Sequence, residues 1–351
     1  MHEDERYTDA LIREFDLRLP SFRDVGPLST LYFGGGTPSL WSRTHLSRFY
    51  KHVLSCCQIT DDFEVTLELN PEDMTLSELA ALRDLGVNRL SVGAQSLDDE
   101  VLRLLGRAHS GADVIRCVGE IKRAGFDNWT VDLIHGVHNQ SLASANHDVE
   151  RIIDLGTPHI STYQLTIEPG TRFATRAARG EPVSLDEGYL ETMYQSIEER
   201  AASLGLVHYE VSNAARPGFE SKHNLGYWLG RTYMGLGPGA HGLSPDGSVL
   251  CRYGNRSGVK AYIARMAEPH ALHKLATFRD VIDADTQSED LLMTGLRLKA
   301  GIVPTSAMAA KYGERVTNLC REGLMRACEG RWLATSRGRL LLDYVLRRLL
   351  T

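Results

Sequence analysis

The chain has 351 residues, is 42% hydrophobic and 24% charged, and carries a formal net charge of −6. This length suits a large domain with a small one, and the acidic balance excludes the basic surface typical of nucleic-acid-binding proteins. No apolar stretch approaches the roughly 20 residues of a membrane-spanning helix. The acidic start, Met1–Glu5, has no apolar signal region, so we predict a cytoplasmic protein with no nucleic-acid partner.

Strands and helices are predicted to alternate through the first half of the chain. Thr75 with Glu78 forms the pattern of a capping box, and Gly86 and Gly125 follow predicted helices as C-terminal caps. The predicted strands are 28–33, 63–69, 88–93, 129–134 and 159–165, and the predicted helices are 8–19, 44–57, 75–85, 97–105, 113–124 and 141–155. Repeated strand–helix units predict a parallel sheet covered by helices, either open or closed into a barrel.

Each predicted strand is followed by a polar or glycine-rich loop. The loops read GGGTP (34–38), NPED (70–73), GAQSLDD (93–99), HGVHN (135–139) and TIEPGT (166–171). Ligand sites in parallel α/β folds gather at the carboxyl ends of the strands, so we predict a ligand site there. The alternative is that the glycines serve only to turn the chain. The GGGTP loop is neither a P-loop nor a dinucleotide fingerprint, because the required spacings are absent.

The second half of the chain follows a different pattern after Pro182. It is predicted to contain helices at 186–204, 287–299, 304–311 and 313–326, and strands at 206–211, 332–334 and 340–342. The last three helices and the last two strands suggest a small winged-helix-like domain. Its arginines make it only locally basic, so we expect a packing module and not a DNA-binding one.

Polar residues within or just after the apolar strands are the first candidates for a site. Glu68 and Asp132 lie inside strands, where a buried carboxylate needs a partner. A carboxylate can accept the hydroxyls of a ribose, and Arg107 can form a fork with a carboxylate. The alternative is a structural salt-bridge network among Glu68, Arg107 and Asp132.

Five motifs in order give the chain a family resemblance: GGGTP (34–38), ELNP (68–71), SVGAQS (91–96), LGRAH (105–109) and VDLIHG (131–136). They are similar to those of the oxygen-independent coproporphyrinogen oxidase-like branch of radical S-adenosylmethionine (SAM) proteins. The resemblance implies a partial (β/α) TIM-like barrel, without its first strand, that binds SAM. It implies Gly35, Gly36 and Thr37 at the methionine moiety, and Glu68, Gln95, Arg107 and Asp132 around the rest of the cofactor.

The segment His223-Asn224-Leu225-Gly226-Tyr227-Trp228 is the second candidate site. A histidine beside aromatic rings can ligate heme iron, although packing in the core is the alternative. With the glycine-rich stretch before His241, the segment resembles the HemW-like heme chaperones. That resemblance implies heme binding by His223, Asn224, Tyr227 and Trp228, and heme transfer to acceptor proteins.

The resemblance divides the chain into a radical SAM partial barrel (1–182), a connecting region with the heme-binding segment (183–285) and a winged-helix-like domain (286–351). One alternative function is an anaerobic coproporphyrinogen III dehydrogenase, and another is a TIM-barrel hydrolase or an interaction protein. The basic, leucine-rich C-terminus suggests a weak membrane contact, and the oligomeric state is left open.

The chain departs from the family in its cysteines. The six cysteines include no C-x3-C-x2-C loop, which would provide the thiolates for a [4Fe–4S] cluster, so no metal ligand and no radical catalysis are predicted for this chain. The cysteines are expected to be reduced and mostly buried. Either the natural protein has a further N-terminal segment or it is a degenerate family member. The first is favoured because a missing first strand leaves its neighbour as an unpaired edge.

Overall fold

The main element of the fold is a seven-stranded sheet, seen in a computed structural model that describes residues 3–36, 38–72 and 74–351. Its parallel strands are β1 (Leu28–Phe33), β2 (Ile59–Leu69), β3 (Arg89–Gln95), β4 (Trp129–His135) and β5 (His159–Gln164). They lie side by side in chain order, with β1 at one edge. The predicted parallel sheet is therefore present, and β2 begins four residues earlier than the alternation indicated.

Helices connect the parallel strands and bury the apolar face of the sheet. They are α1 (Glu3–Arg18), α2 (Arg43–Cys56), α3 (Leu76–Leu85), α4 (Asp99–Leu105), α5 (Gly111–Arg123) and α6 (Leu142–Asp154). The predicted capping box is formed, because the Thr75 hydroxyl accepts from the Glu78 backbone N–H while the Glu78 carboxylate accepts from that of Thr75. Gly86 ends the same helix with a φ of 115°, a conformation that glycine adopts most easily.

The connecting region differs most from the sequence-based prediction. After α7 (Arg172–Ala178) and α8 (Glu187–Ser203), the predicted strand 206–211 is replaced by β6 (Val207–His208) and β7 (Asn213–Ala215). They extend the main sheet, with β7 antiparallel to β5 and β6 antiparallel to β7. The unpredicted elements are α9 (Lys222–Trp228), β8 (His241–Asp246), β9 (Val249–Asn255), α10 (Val259–Met266), α11 (Ala271–Leu275) and β10 (Ala276–Ile282). The strands β8, β9 and β10 form a separate antiparallel sheet.

The C-terminal residues fold into helices with a β-hairpin. They are α12 (Ala284–Gly295), α13 (Ser306–Arg321), β11 (Met325–Cys328), β12 (Arg331–Ala334), α14 (Ser336–Leu340) and α15 (Leu342–Leu350). Two predictions here are wrong. Residues 304–311 and 313–326 do not form two helices, since α13 runs through Gly313. Residues 340–342 do not form a strand, because Thr335 caps a new helix by accepting from the Gly338 N–H at 3.0 Å.

A second hydrophobic core lies within the C-terminal residues, apart from the core of the main sheet. It contains Leu292, Leu296, Tyr312, Val316, Trp332, Val345 and Leu349, among others. The apolar side of α15 packs into this core, while Arg347 and Arg348 lie on its exposed side. Within the described residues, no helix has the length and apolar character to cross a membrane.

Candidate functional site

A polar cavity of about 320 Å³ runs along the inward face of the parallel strands and reaches the loops at their carboxyl ends. Alternate residues of β1 to β5 point into it, while the residues between them pack against the helices. The polar strand residues that line it are Tyr32, Thr66, Glu68, Ser91, Gln95, Thr130, Asp132, His159, Ser161 and Tyr163. The position is the one predicted for a ligand site in a parallel α/β fold.

Glu68 joins the glycine loop to the cavity wall. Its Oε1 accepts a hydrogen bond from the Tyr32 hydroxyl at 2.7 Å, and its Oε2 accepts from the Gly35 backbone N–H at 3.0 Å. A Cβ atom at Gly34 would lie 2.5 Å from the Tyr32 ring, so only glycine fits there. Gly35 and Gly36 have φ values of 81° and 67°, which other residues rarely adopt. The GGG run is thus required by both conformation and close packing.

Asp132 lies deep in the cavity and accepts a hydrogen bond from the Ser91 hydroxyl at 2.8 Å. Burial raises the pKa of the Asp132 carboxyl to about 6, and the nearby Glu68 carboxylate adds to the rise. Arg107, Glu68 and Asp132 all lie within the described ranges, and no ion pair joins Arg107 to either carboxylate there. The structural salt-bridge network considered from the sequence is therefore not formed, and the two carboxylates face the cavity with uncharged partners.

Gln95 reaches the cavity from the end of β3, and Arg107 reaches it from the loop after α4. These two segments contact each other. Gln95 has a φ of 71°, and the register between β3 and β4 shifts beside it, so the chain bends here. His109 of the LGRAH motif accounts for the position of the Arg107 loop. Its Nε2 lies 2.8 Å from the Ala94 carbonyl oxygen, and its Nδ1 lies 3.1 Å from the Glu72 carboxylate.

The cavity floor contains polar residues that the sequence analysis missed. Arg89 is 1% exposed and donates to the Asn128 side chain and, at 3.4 Å, to the Phe219 carbonyl. His159 contacts the Thr130 hydroxyl at 2.8 Å and the Tyr209 hydroxyl at 2.9 Å. The alternation of polar residues along β5 (His159, Ser161, Tyr163) was the available signal, because it implies one polar face in an otherwise buried strand.

The His223 segment forms the helix α9, which packs beside β1. The first backbone N–H groups of this helix are satisfied by the buried Glu64 of β2, which accepts from Lys222 at 3.1 Å and from His223 at 3.0 Å. The His223 ring stacks on Tyr32 with a centroid distance of 4.8 Å and an interplanar angle of 20°. Glu64 is a further residue whose role could not be predicted from the sequence, because its partners are 158 and 159 positions away.

Both ring nitrogens of His223 have hydroxyl partners. Nδ1 lies 2.9 Å from the Thr30 hydroxyl, and Nε2 lies 2.9 Å from the Tyr227 hydroxyl. Burial lowers the pKa of His223 to about 4, so the imidazole is neutral near pH 7. Trp228 is covered by the guanidinium group of Arg297, which lies 4.6 Å from the ring centroid. The α9 segment is therefore closely packed, with partners for both the His223 ring and the Trp228 ring.

The structure brings most of the predicted site residues to one place. Gly36, Glu68, Gln95, Arg107, Asp132 and Asn224 line the cavity. Gly35 adjoins it through its bond to Glu68. His223, Tyr227 and Trp228 are not among the lining residues, and His223 stacks on the lining residue Tyr32. Thr37 lies outside the described residues. The cofactor roles of these residues remain predictions.

The cysteines of the chain do not fit a [4Fe–4S] cluster. All six lie within the described residues, and none lines the cavity. Cys117 and Cys251 are buried, Cys56 and Cys328 are exposed, and the remaining two are half-buried. The prediction that most would be buried is wrong, because α2 ends at Cys56 and the β11–β12 hairpin carries Cys328 on its exposed side.

Replacing Asp132 with asparagine should change how stability depends on pH. The unfolded carboxyl loses its proton above pH 3.8, but the folded one keeps it up to about pH 6. The folded state therefore binds more protons in this window, and the free energy of unfolding falls as pH rises through it. The asparagine side chain cannot titrate, so Asp132→Asn should remove this contribution to the fall in the free energy of unfolding, roughly 3 kcal/mol.

Urea unfolding of both proteins at pH 4 and pH 7 measures this difference. Asp113→Asn is the control, because hydrogen bonds from Ser110 hold the pKa of Asp113 at about 2 and its titration window lies below pH 3.8. If the free energy of unfolding falls between pH 4 and pH 7 as steeply in Asp132→Asn as in the wild type, then Asp132 is already ionised in the folded protein throughout this range.

Comparison with known proteins places this geometry in a family. Residues 4–155 match the sequence profile of the Radical SAM superfamily. The structure of coproporphyrinogen III oxidase (HemN) from Escherichia coli superposes with a TM-score of 0.80 at 23% identity, covering 100% of this chain and 84% of that one. At this identity the likeness concerns the fold alone, and it confirms the predicted fold class, a partial radical SAM barrel with a small C-terminal module.

Closer relatives in sequence are the curated heme chaperones named HemW. The chain is 34% identical to that of Lactococcus lactis over 328 residues, 92% of this chain and 83% of the relative. It is 34% identical to that of Mycobacterium tuberculosis over 346 residues (99% and 86%) and 31% identical to that of Escherichia coli over 352 residues (98% and 89%). Identity above 30% along most of both chains shows that this protein belongs to the HemW family of radical SAM proteins.

Proposed function

We propose that the protein is a heme chaperone, which binds heme and transfers it to acceptor proteins. The observation that carries this proposal is the similarity to HemW heme chaperones along nearly the whole chain. A cytoplasmic location and a weak membrane contact remain predictions from the sequence. The division into a barrel (1–182), a connecting region (183–285) and a C-terminal domain (286–351) is also part of the proposal.

The heme site of this proposal is the α9 segment with His223 as the iron ligand. Iron binds a neutral imidazole through a free lone pair, and the lowered pKa of His223 keeps the ring neutral. A neutral imidazole has one N–H and one lone pair, so one of its two hydroxyl partners donates to the ring. Heme binding then requires Thr30 or Tyr227 to move away from the His223 ring. Asn224, Tyr227 and Trp228 would contact the porphyrin, and Arg297 would have to leave the face of Trp228 that the porphyrin covers.

The barrel cavity is the proposed SAM site. Its Glu68 and Asp132 carboxyl groups suit the ribose hydroxyls, and Arg107 suits the methionine carboxylate. Gly35, Gly36 and Thr37 would hold the methionine moiety, and Gln95, which lines the same cavity as Gly36, would contact the rest of the cofactor. When bound, SAM would supply a positively charged sulfonium group that carries the adenosyl moiety. Because the cysteines do not fit a cluster, we propose no radical step, and no observation favours coproporphyrinogen dehydrogenation over heme transfer.

Heme titration of the His223→Ala variant tests the proposed ligand. The wild type should give a saturable shift of the heme absorption band. The variant should bind heme at least about tenfold more weakly, because it lacks the proposed iron ligand. His241→Ala is the matched control, since His241 is an exposed histidine on the neighbouring strand β8. An equal shift in His223→Ala and the wild type would remove His223 as a ligand.

A second variant, Tyr227→Phe, separates ligation from packing. It removes the hydroxyl that contacts Nε2 of His223 and keeps the ring that packs against Tyr233. Burial raises the pKa of Tyr227 to about 12, so the phenol is a poor iron ligand. Heme affinity should therefore be retained or increased in Tyr227→Phe, whereas a loss like that of His223→Ala would make Tyr227 the ligand.

A further inference from the structure

Three different metal-binding side chains converge on the surface between α1 and α2. Asp16 comes from α1, while His52 and Cys56 come from α2, four positions apart and therefore on one face of the helix. The His52 Nε2 atom lies 2.7 Å from the Asp16 Oδ1 atom and 3.9 Å from the Cys56 Sγ atom. All three ligand atoms lie within 4.8 Å of one another.

This cluster is remote from the SAM cavity. Cys56 ends α2, and β2 begins at Ile59, so the cluster lies near the amino end of β2, whereas the cavity is lined by the inward-facing residues of the strands and by the loops that follow them. None of the three residues lines the cavity or contacts the α9 segment. A metal bound here would be separate from both the SAM and the heme sites.

We propose that Asp16, His52 and Cys56 bind a zinc ion. Zinc accepts thiolate, imidazole and carboxylate ligands at about 2.0–2.3 Å, which places the ligand atoms roughly 3.5 Å apart in a tetrahedron. The nitrogen–sulfur separation of 3.9 Å is close to this value, and the nitrogen–oxygen pair must open by less than about 1 Å. Three protein ligands leave the fourth position to water.

The charges and the surroundings of the cluster also suit zinc. A thiolate and a carboxylate neutralise the charge of the ion, and the Cys56 thiol releases its proton to solvent on binding. His52 is oriented by an edge-on contact with Phe15, whose ring centroid lies 5.7 Å away. Asp16 and Cys56 are exposed and His52 is half-buried, so an ion can reach all three without opening the fold.

Titration of the reduced full-length chain with Co²⁺, a spectroscopic substitute for zinc, tests the proposal. One equivalent should produce a thiolate-to-cobalt charge-transfer band in the near ultraviolet, and added Zn²⁺ should displace it. Cys56→Ser should abolish the band, and His52→Gln or Asp16→Asn should lower the affinity by more than about tenfold. Cys328→Ser, which alters the other exposed cysteine, should keep the band.

Alkylation provides an independent measurement on the unaltered protein. Bound Zn²⁺ should slow the reaction of Cys56 with iodoacetamide and leave the rate at Cys328 unchanged. The proposal is overturned by a band that does not saturate at one equivalent, by a band of full intensity in Cys56→Ser, or by equal alkylation of Cys56 with and without Zn²⁺. Far-ultraviolet circular dichroism of each variant checks that the fold is retained.

Discussion

Glu68→Ala is expected to lower the affinity for SAM by about 10- to 150-fold, since it removes the proposed acceptor for a ribose hydroxyl and a hydrogen bond to a charged group contributes about 1.5–3 kcal/mol. The Glu68 carboxylate holds the Tyr32 hydroxyl and the Gly35 N–H at once, so its loss releases the wall and the glycine loop together. Isothermal titration with SAM measures the change. The prediction rests on the proposed SAM site.

Two further variants make the SAM experiment specific. Glu100→Ala removes an exposed glutamate that pairs with Arg103 within α4, and the SAM affinity of this variant should equal that of the wild type. Gly34→Ala keeps Glu68 but places a methyl group against the Tyr32 ring and the Glu68 carboxylate, so it should also weaken SAM binding. Wild-type affinity in Glu68→Ala would exclude the cavity as the SAM site.

Glu14→Ala is expected to lower the free energy of unfolding by about 3–5 kcal/mol, the cost of breaking a buried ion pair by removing one partner. Glu14 is 0% exposed and accepts from Arg18 Nε and Asn255 Nδ2, each at 2.8 Å. Its second oxygen accepts from the Tyr262 hydroxyl at 2.8 Å and the Gly237 N–H at 2.9 Å. The alanine removes the acceptor of the Tyr262 hydroxyl and of the Gly237 N–H, and it removes a polar link between α1 and the connecting region.

Urea denaturation of Glu14→Ala measures this loss. Glu3→Ala is the control, because Glu3 is an exposed residue of the same helix, and it should change the free energy of unfolding by less than about 0.5 kcal/mol. Equal midpoints for Glu14→Ala and the wild type would contradict the structural role given to the Glu14 contacts.

The barrel could be predicted from local patterns, because each strand–helix unit carries its own signals. Thr75, Glu78 and Gly86 mark the two ends of α3 within the sequence itself. The loops after the strands indicated where a site would form, since parallel strands bring their carboxyl ends to one edge. Gly36, Glu68, Gln95, Arg107 and Asp132 followed from the family motifs, and all five line the cavity.

The parts that could not be predicted depend on contacts between distant segments. Arg89 resembles a surface residue in sequence, and only its partners at Asn128 and Phe219 allow its burial. Glu64 supports α9 from more than 150 positions away. The β8–β10 sheet was missed because β10 follows β9 only after two intervening helices, and its residues alternate weakly between buried and exposed.

Heme transfer from the loaded protein tests the central claim most directly. The chain is titrated with heme to one equivalent and then mixed with apomyoglobin as a general acceptor. We expect saturable heme binding that depends on His223, followed by replacement of the absorption band of the loaded chain by that of myoglobin. A chain that binds no heme, or that holds heme without releasing any to the acceptor, would contradict the proposed chaperone function.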